Sequence, residues 1–136
     1  MRHLRIAAIA LLILPPAIVA AATPSWQPAT ATSVSAGVTS KSTFQIQAYV
    51  TLPQECYAAR IRTLAMNTEL HRSFIVEQLA PSSPCSGKTV YKCTVASPNF
   101  ILPIPHKFEV DSKGKKWGVT LSMASPQPIE PMCRKG

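Results

Sequence analysis

Residues 43–62 read TFQIQAYVTLPQECYAARIR, and this stretch decides the fold class of the chain. In its first half, apolar and polar side chains alternate strictly. The apolar set is Phe44, Ile46, Ala48, Val50 and Leu52. Such alternation places one face of the chain in a core and the other in water, as in a half-exposed β-strand. Pro53 has no N–H to give to a ladder and is expected to end this strand.

A second strand is predicted directly after Cys56. There the apolar Ala59 and Ile61 fall on one side of an extended chain, and Arg60 and Arg62 fall on the other. Two adjacent strands with a cysteine at their junction predict a small disulfide-braced β-domain.

Later segments repeat the same kind of pattern. Strands are predicted over residues 73–79 and 89–95, and residues 100–105, with two prolines, are expected to form an edge strand or an extended crossover. The sequence DSKG at 111–114 predicts a tight hairpin with a glycine bulge between two further strands. Six or seven short strands joined by such turns are typical of a single small antiparallel β-sandwich. We place this domain at residues 43–124.

The first 22 residues are predicted to be a secretory signal peptide. Arg2 and Arg5 form a basic start, residues 6–14 are uninterruptedly apolar, and alanines 20–22 supply the cleavage site. The apolar run is shorter than the ~20 residues that span a bilayer, so no membrane anchor is expected after cleavage. Removal of the segment takes two of the 14 Lys and Arg residues and leaves 12 basic and 6 acidic residues, a net charge of +6.

The segments on either side of the domain lack periodicity. Residues 23–42 are rich in Ala, Thr, Ser and Pro and are interpreted as a flexible leader. Residues 125–136 carry three prolines and are interpreted as a tail held by Cys133.

Four cysteines follow the predicted cleavage site, namely Cys56, Cys85, Cys93 and Cys133. An even number in an exported chain favours two disulfides, and three pairings are possible. We favour Cys56–Cys93 across the domain and Cys85–Cys133 at the tail. Each bridge would stabilise the fold by roughly 3–4.5 kcal/mol in the chain-entropy description.

The order of these features resembles that of small secreted bacterial immunoglobulin-like modules. A cysteine opens the second strand, a mid-chain cysteine precedes an aliphatic and proline-containing segment, and Phe108-Glu109-Val110 leads into a glycine-bearing hairpin. The resemblance covers residues 43–123. It implies an immunoglobulin-like β-sandwich and no catalytic residue. The tryptophan that antibody domains carry between their two cysteines is absent between Cys56 and Cys93.

No catalytic constellation, metal site or cofactor motif is recognised. His71 and His106, the two histidines of the exported part, lie in predicted loops, and no G-x-S-x-G or glycine-rich phosphate loop occurs. With Met66, Met123 and Met132 they could in principle hold copper, but scattered methionines more often fill a core. The sequence therefore predicts neither an enzyme nor a metal protein.

One charged surface is a candidate binding site. Lys107, Lys113, Lys115 and Lys116 cluster on the predicted hairpin beside Trp117. A basic tip next to an aromatic ring suits anionic sugars, lipid headgroups or nucleic acid. The alternative is a solvated turn whose lysines discourage edge-to-edge aggregation, with Trp117 in the core.

The predicted function is that of a non-catalytic secreted or periplasmic binding module, or one associated with the cell envelope, that recognises an extracellular protein or an anionic surface and no specific nucleic acid. One alternative is an inhibitor of an extracellular hydrolase, with residues 80–87 (APSSPCSG) as the exposed loop. A second is a polyanion or membrane-surface binder that uses the lysine-rich hairpin at 107–117. A small extracytoplasmic enzyme or metal protein is the third.

Overall fold

The computed structural model describes residues 10, 12–13, 23–40, 43–68, 71–101, 107–124 and 126–136. Along this part of the chain the strands are β1 (Gln27–Pro28), β2 (Thr30–Ser40), β3 (Thr43–Gln54), β4 (Ala58–Thr68), β5 (His71–Leu79), β6 (Thr89–Ala96), β7 (Phe100–Ile101), β8 (Lys107–Ser112) and β9 (Lys115–Ser122). The described residues form no helix, and hence none that is long and apolar enough to cross a membrane. The predicted all-β class is confirmed. The predicted signal peptide lies outside the described residues apart from positions 10, 12 and 13.

The strands form one mixed sheet. Its main path is β1-β5-β8-β9-β2-β3-β6, with β4 paired to β5 and β7 paired to β3. Most neighbours are antiparallel, but β5 pairs with β8 and β2 pairs with β9 in parallel. The prediction of a purely antiparallel sheet is therefore wrong. Side-chain alternation indicates which face of a strand is buried, and it carries no information on the direction of the neighbouring strand.

The sheet bends so that its two halves enclose one core. The rings of Phe44 on β3 and Phe108 on β8 lie 5.1 Å apart between centroids, although two other strands separate β3 from β8 along the sheet. Phe74 on β5 approaches Phe100 on β7 at the same distance. Phe44, Phe74 and Phe108 are buried, and each contributes about 1.5–3 kcal/mol through its removal from water.

Residues 43–62 fold largely as their alternating pattern predicts. All five alternating apolar residues of β3 are at most 1% exposed. Ala59 and Ile61 on β4 are also buried, with Arg60 and Arg62 on the opposite face. Pro53 does not end the strand, since β3 continues to Gln54 and Pro53 lies exposed between the paired residues Leu52 and Gln54.

Residues 27–40, which the sequence predicts to be part of a flexible leader, instead form β1 and β2. β1 pairs with β5, and β2 then pairs with β3 and β9. Small apolar side chains fill the space against the core, namely those of Ala29, Ala31 and Ala36. Alanine gives little hydrophobic contrast with Ser and Thr, so the pairing of this segment is not evident in its composition.

The buried Ser112 hydroxyl fixes the step from β1 to β2. It accepts a hydrogen bond from the Ala31 N–H at 2.6 Å and donates one to the Ala29 carbonyl at 3.0 Å. These bonds satisfy backbone groups at the place where the chain leaves one strand partner for another. The first strand of the chain is thereby tied to the start of the β8–β9 turn.

The hairpin predicted around residues 111–114 is present as β8 and β9. Its turn consists of Lys113 and Gly114, with φ angles of 40° and 83°, and Ser112 pairs directly with Lys115. Positive φ at both central residues is the requirement of a two-residue type I′ turn. The predicted glycine bulge is therefore replaced by a tighter connection.

The disulfide pairing favoured from the sequence is wrong. Cys56 pairs with Cys85 (Cα–Cα 6.1 Å), and Cys93 pairs with Cys133 (Cα–Cα 5.0 Å). Cys56 lies in the turn after β3, next to the loop that follows β5, so Cys85 is its neighbour. Cys93 points into the core from the edge strand β6, and the C-terminal tail runs along that edge. The disulfide pairing thus depends on contacts between segments that are far apart in the sequence.

Candidate functional site

The C-terminal tail lies between the two edge strands of the bent sheet. Thr94 on β6 donates its N–H to Pro131 and accepts the N–H of Cys133, both at 2.9 Å. On the opposite side, Ala59 of β4 donates its N–H to Arg134 at 2.9 Å. The tail runs parallel to both strands. Residues 131–134 therefore act as a short strand that closes one end of the gap between β4 and β6, and more than Cys133 holds the tail in place.

Beyond the tail, the gap continues as an open cleft of about 690 Å³, which we call the β4–β6 cleft. This volume falls within the range of ~300–1,000 Å³ that is usual for ligand sites. Apolar side chains form its floor, and basic and aromatic side chains form its rim. The floor includes Ile61, Val95 and Phe100, and the rim includes Trp26, Arg60, Arg62 and Lys135.

A buried carboxylate organises the basic rim. Glu77 on β5 lies opposite Arg60 on β4 in the strand register, and its side chain is only 6% exposed. It accepts hydrogen bonds from Arg60 Nε at 2.7 Å, from Arg62 Nε at 3.1 Å and from an Arg62 terminal nitrogen at 2.6 Å. The hydrogen bond from Arg62 is the largest cause that lowers the pKa of Glu77 below its ordinary value, and Arg60 adds to it against the opposing effect of burial.

Trp26 supports the rim from the segment before β1. The Arg60 guanidinium carbon lies 4.0 Å from the centroid of the Trp26 ring, a distance typical of cation–π stacking. A Cβ atom placed on Gly136 would lie 2.5 Å from the Trp26 ring, so the backbone of Gly136 packs directly against the indole. Arg60 is thus held from one side by an aromatic face and from the other by a carboxylate.

After the bonds to Glu77, the two arginines of the rim still have unused N–H donors and an excess of positive charge. A guanidinium has five N–H donors. Arg60 uses its Nε–H on Glu77, and Arg62 uses its Nε–H and one terminal nitrogen. Their side chains are 40% and 45% exposed, so the remaining donors face water. Two arginines against one glutamate leave one net positive charge, and Lys135 adds another, so the rim suits an anionic group.

The structure divides the predicted lysine cluster into residues with different environments. Lys116 forms an ion pair with Glu109 at 3.0 Å, which raises the pKa of Lys116. Lys115 lies 3.8 Å from the ring centroid of Trp117, and Trp117 packs against the core, as expected. Lys113 is exposed on the turn. The side chain of Lys107 lies outside the described part of the chain. An anion at this hairpin would therefore compete with a carboxylate for Lys116 and with an indole for Lys115.

The loop at residues 80–87 forms a second surface. The Cys56–Cys85 disulfide and a 3.2 Å hydrogen bond from Gln54 to the Cys85 carbonyl attach it to the turn after β3. Ser82, Ser83 and Pro84 are exposed. A polar groove of about 540 Å³ separates the base of the loop from Arg134 of the tail.

Within the described residues, no three His, Cys, Asp or Glu side chains meet as they would in a metal site. This statement does not cover the two histidines of the sequence analysis, because His106 and the side chain of His71 lie outside the described part of the chain.

The β4–β6 cleft was not predicted from the sequence. The arginines were placed correctly on the outer face of β4, but the sequence analysis did not pair Glu77 with them or bring the tail to the edge of β4. The one available signal was a hairpin with positive charges on one strand and a glutamate on the facing strand, a pairing typical of cross-strand contacts.

Comparison of the chain with protein-family profiles, with curated proteins and with solved structures gives no match.

Proposed function

We propose that this chain is an exported, non-catalytic binding module that takes its ligand in the β4–β6 cleft. The proposal includes cleavage of the signal peptide after Ala22 and an immunoglobulin-like sandwich as the description of the fold. One observation carries it: an open cleft combines an apolar floor with two guanidinium groups that are already oriented by Glu77. Binding sites typically have such an apolar surface with a few well-placed polar groups.

The state of the cysteines supports an oxidising compartment outside the cytosol. Both disulfides are formed, and the described residues contain no free cysteine. Disulfides persist in oxidising compartments, such as the periplasm or the extracellular space, and are rare in the cytosol. Basic, aromatic, polar and apolar residues line the cleft. Its two possible nucleophiles have no base beside them, because Cys133 is in a disulfide and the Ser97 hydroxyl bonds to the backbone of Ile46 and Pro98.

Two measurements test this function. N-terminal sequencing and a non-reducing peptide map of the protein purified from the cell envelope or medium should give a start near residue 23 and the pairs Cys56–Cys85 and Cys93–Cys133. Affinity capture from the same fraction should then retain a defined partner on the wild-type chain and lose it on the triple variant Arg60→Gln/Arg62→Gln/Glu77→Gln. Equal capture by both proteins would remove the cleft from the function.

A hydrolase inhibitor is the second candidate, because the disulfide and Gln54 hold the loop at 80–87 in one conformation with its tip exposed. Inhibitors bind tightly when the contacting loop is rigid before it meets the enzyme. Purified protein should then inhibit at least one extracellular protease, and opening the loop with Cys56→Ser/Cys85→Ser should abolish the effect. A lack of inhibition of a broad protease panel at micromolar concentration would count against this function.

A further inference from the structure

We infer that the ligand of the β4–β6 cleft is an acidic peptide segment of another protein, which enters in extended conformation and adds to the sheet as one strand. The inference rests on the proposed function and specifies the chemistry of its ligand. Three features of the cleft carry it: the precedent of the tail, the free edge of β4 and the spacing of the arginines.

The tail shows that the gap between β4 and β6 accepts an extended segment of chain. Residues 131–134 occupy it as a single extended segment that bonds to Thr94 on one side and to Ala59 on the other. The open part of the cleft is the direct continuation of this gap, with Ile61 and Thr63 further along β4 and with Ser97 and Pro98 just beyond the end of β6. One of its walls is therefore the edge of the same strand β4, which can receive one more stretch of extended chain.

The edge of β4 along the cleft joins no further strand. Strand residues direct their N–H and C=O groups alternately to the two sides. Because Ala59 faces the tail, Ile61 and Thr63 on β4 face the cleft in the same way. Among the described residues β4 pairs only with β5, and the backbone hydrogen bonds found outside the strands do not involve Ile61 or Thr63. Main-chain bonds to such edges are the source of affinity when a peptide adds a strand to a sheet.

Side chains specify which peptide fits. Arg60 and Arg62 are two residues apart on β4, so their positions along the strand repeat at about 6.5–6.8 Å. Alternate side chains of an extended peptide repeat at the same interval. Acidic residues at every second position would therefore meet the two guanidinium groups, whose free donors face the cleft rim. The intervening side chains would point to the floor of Ile61, Val95 and Phe100, which suits apolar residues.

The peptide is expected to come from a different protein. The chain has only 6 acidic residues against 14 basic ones, a net charge of +8, so a second copy offers little negative charge to the rim. A partner with alternating acidic and apolar residues is complementary in both charge and spacing. The proposal thus commits to an acidic strand of a partner protein.

The test uses the mature, disulfide-bonded chain and four synthetic peptides. The probe is Ac-Gly-Glu-Val-Glu-Val-Glu-Gly-NH2. One control has the same composition in the order Gly-Glu-Glu-Glu-Val-Val-Gly, one replaces Glu by Lys, and one is N-methylated on alternate backbone nitrogens. Affinity is measured by calorimetry, and amide hydrogen exchange is followed by NMR. The probe should bind at least about tenfold tighter than each control, a factor that corresponds to a single good interaction. It should also slow the exchange of the cleft-facing amides of Ile61 and Thr63.

Variants separate the rim from the overall charge. Arg60→Gln/Arg62→Gln/Glu77→Gln lowers the net charge by one and should weaken the probe by at least about tenfold. Lys113→Asn makes the same change in net charge on the exposed turn and should leave binding unaltered. Equal affinities for the alternating, rearranged and N-methylated peptides, or unprotected cleft amides, would overturn strand addition even if the triple variant still loses its natural partner. In that case the proposed function stands and this inference fails. Equal capture of the natural partner by the wild type and the triple variant would contradict the proposed function itself.

Discussion

At the scale of single residues, Glu77 determines how the rim of the cleft is arranged. Its carboxylate is nearly inaccessible to water and bonds to both guanidinium groups, so it orients Arg62 and, together with the ring of Trp26, Arg60. The pKa of Glu77 is lowered mainly by the hydrogen bond from Arg62. A group whose pKa is lower in the folded state stabilises the fold at pH values above its ordinary pKa.

This stabilisation should disappear in acid. Its contribution is complete above the ordinary glutamate value of 4.5 and is lost as the pH falls through the lowered pKa. The variant Glu77→Gln should be less stable than the wild type by about 1.5–3 kcal/mol at pH 7, the worth of hydrogen bonds to a charged group. In urea unfolding curves, the difference should diminish as the pH is lowered below 4.5. The exposed Glu130→Gln should follow the wild type, and an undiminished difference at low pH would contradict the assigned cause.

Ser112 gives a second prediction at this scale. Its hydroxyl bonds to the N–H of Ala31 and to the carbonyl of Ala29, and both groups would be left without a partner in Ser112→Ala. Unsatisfied buried groups of this kind cost about 1–3 kcal/mol. Thermal or urea unfolding should show this loss, whereas Ser35→Ala on the exposed face of β2 should change stability by less than about 0.5 kcal/mol. Equal effects of the two substitutions would show that the β1–β2 step does not depend on Ser112.

At the scale of elements, the C-terminal tail creates the cleft by closing one end of the gap between β4 and β6. The Cys93–Cys133 disulfide, with a sequence separation of 40, fixes the tail to β6, and the Arg134 carbonyl binds it to β4. The Cys56–Cys85 disulfide, with a separation of 29, fixes a different loop. The two bridges should therefore have similar effects on stability and different effects on the cleft.

Removal of each bridge tests this division. In the chain-entropy description, Cys93→Ala/Cys133→Ala and Cys56→Ala/Cys85→Ala should each cost roughly 3.5–4 kcal/mol. Only the first variant should accelerate hydrogen exchange at the amides of Ala59 and Thr94, which bond to the tail. If both variants leave these amides protected, the disulfide is not what holds the tail in the gap.

Elements that depend on local chemistry were predictable from the sequence, and those that depend on distant partners were not. The β8–β9 hairpin and the buried face of β3 follow from turn residues and alternation within one segment. The pairing of β2, the parallel contacts and the disulfide partners join residues far apart in the chain. Alternation in 43–62 could place Arg60 on an outer face, but only the tertiary fold brings Glu77, Trp26 and the tail around it.

At the scale of the whole molecule, two basic surfaces lie on different elements, namely the rim of the β4–β6 cleft and the β8–β9 turn. Two lysines of the turn are already engaged, Lys116 by Glu109 and Lys115 by Trp117. The strand register places Lys116 three strands away from Arg62, through Ile75 on β5 and Asp111 on β8, a separation of about 14 Å at the usual strand spacing. Electrostatic attraction between exposed charges is largely screened beyond about 8 Å at physiological salt. A ligand in the cleft should therefore be insensitive to the turn.

The triple variant Lys113→Ser/Lys115→Ser/Lys116→Ser tests this independence. Although it removes three positive charges, its affinity for the alternating acidic peptide should stay within about threefold of the wild type at 0.15 M salt, because screening separates the two surfaces. Calorimetry at that salt concentration gives the comparison. A loss as large as that of the glutamine variant of Arg60, Arg62 and Glu77 would instead favour the lysine-rich hairpin as the anionic-ligand site.

Site-specific photo-cross-linking in the cells that produce the protein tests whether a partner occupies the β4–β6 cleft. A photoreactive residue at position 63 replaces Thr63, which lines the cleft, and a matched one at position 120 replaces the exposed Thr120 on β9. Irradiation should give a discrete adduct with a second protein from position 63 and none from position 120. The peptide linked to position 63 should carry alternating acidic residues. No adduct at position 63, or the same adducts from both positions, would contradict the account.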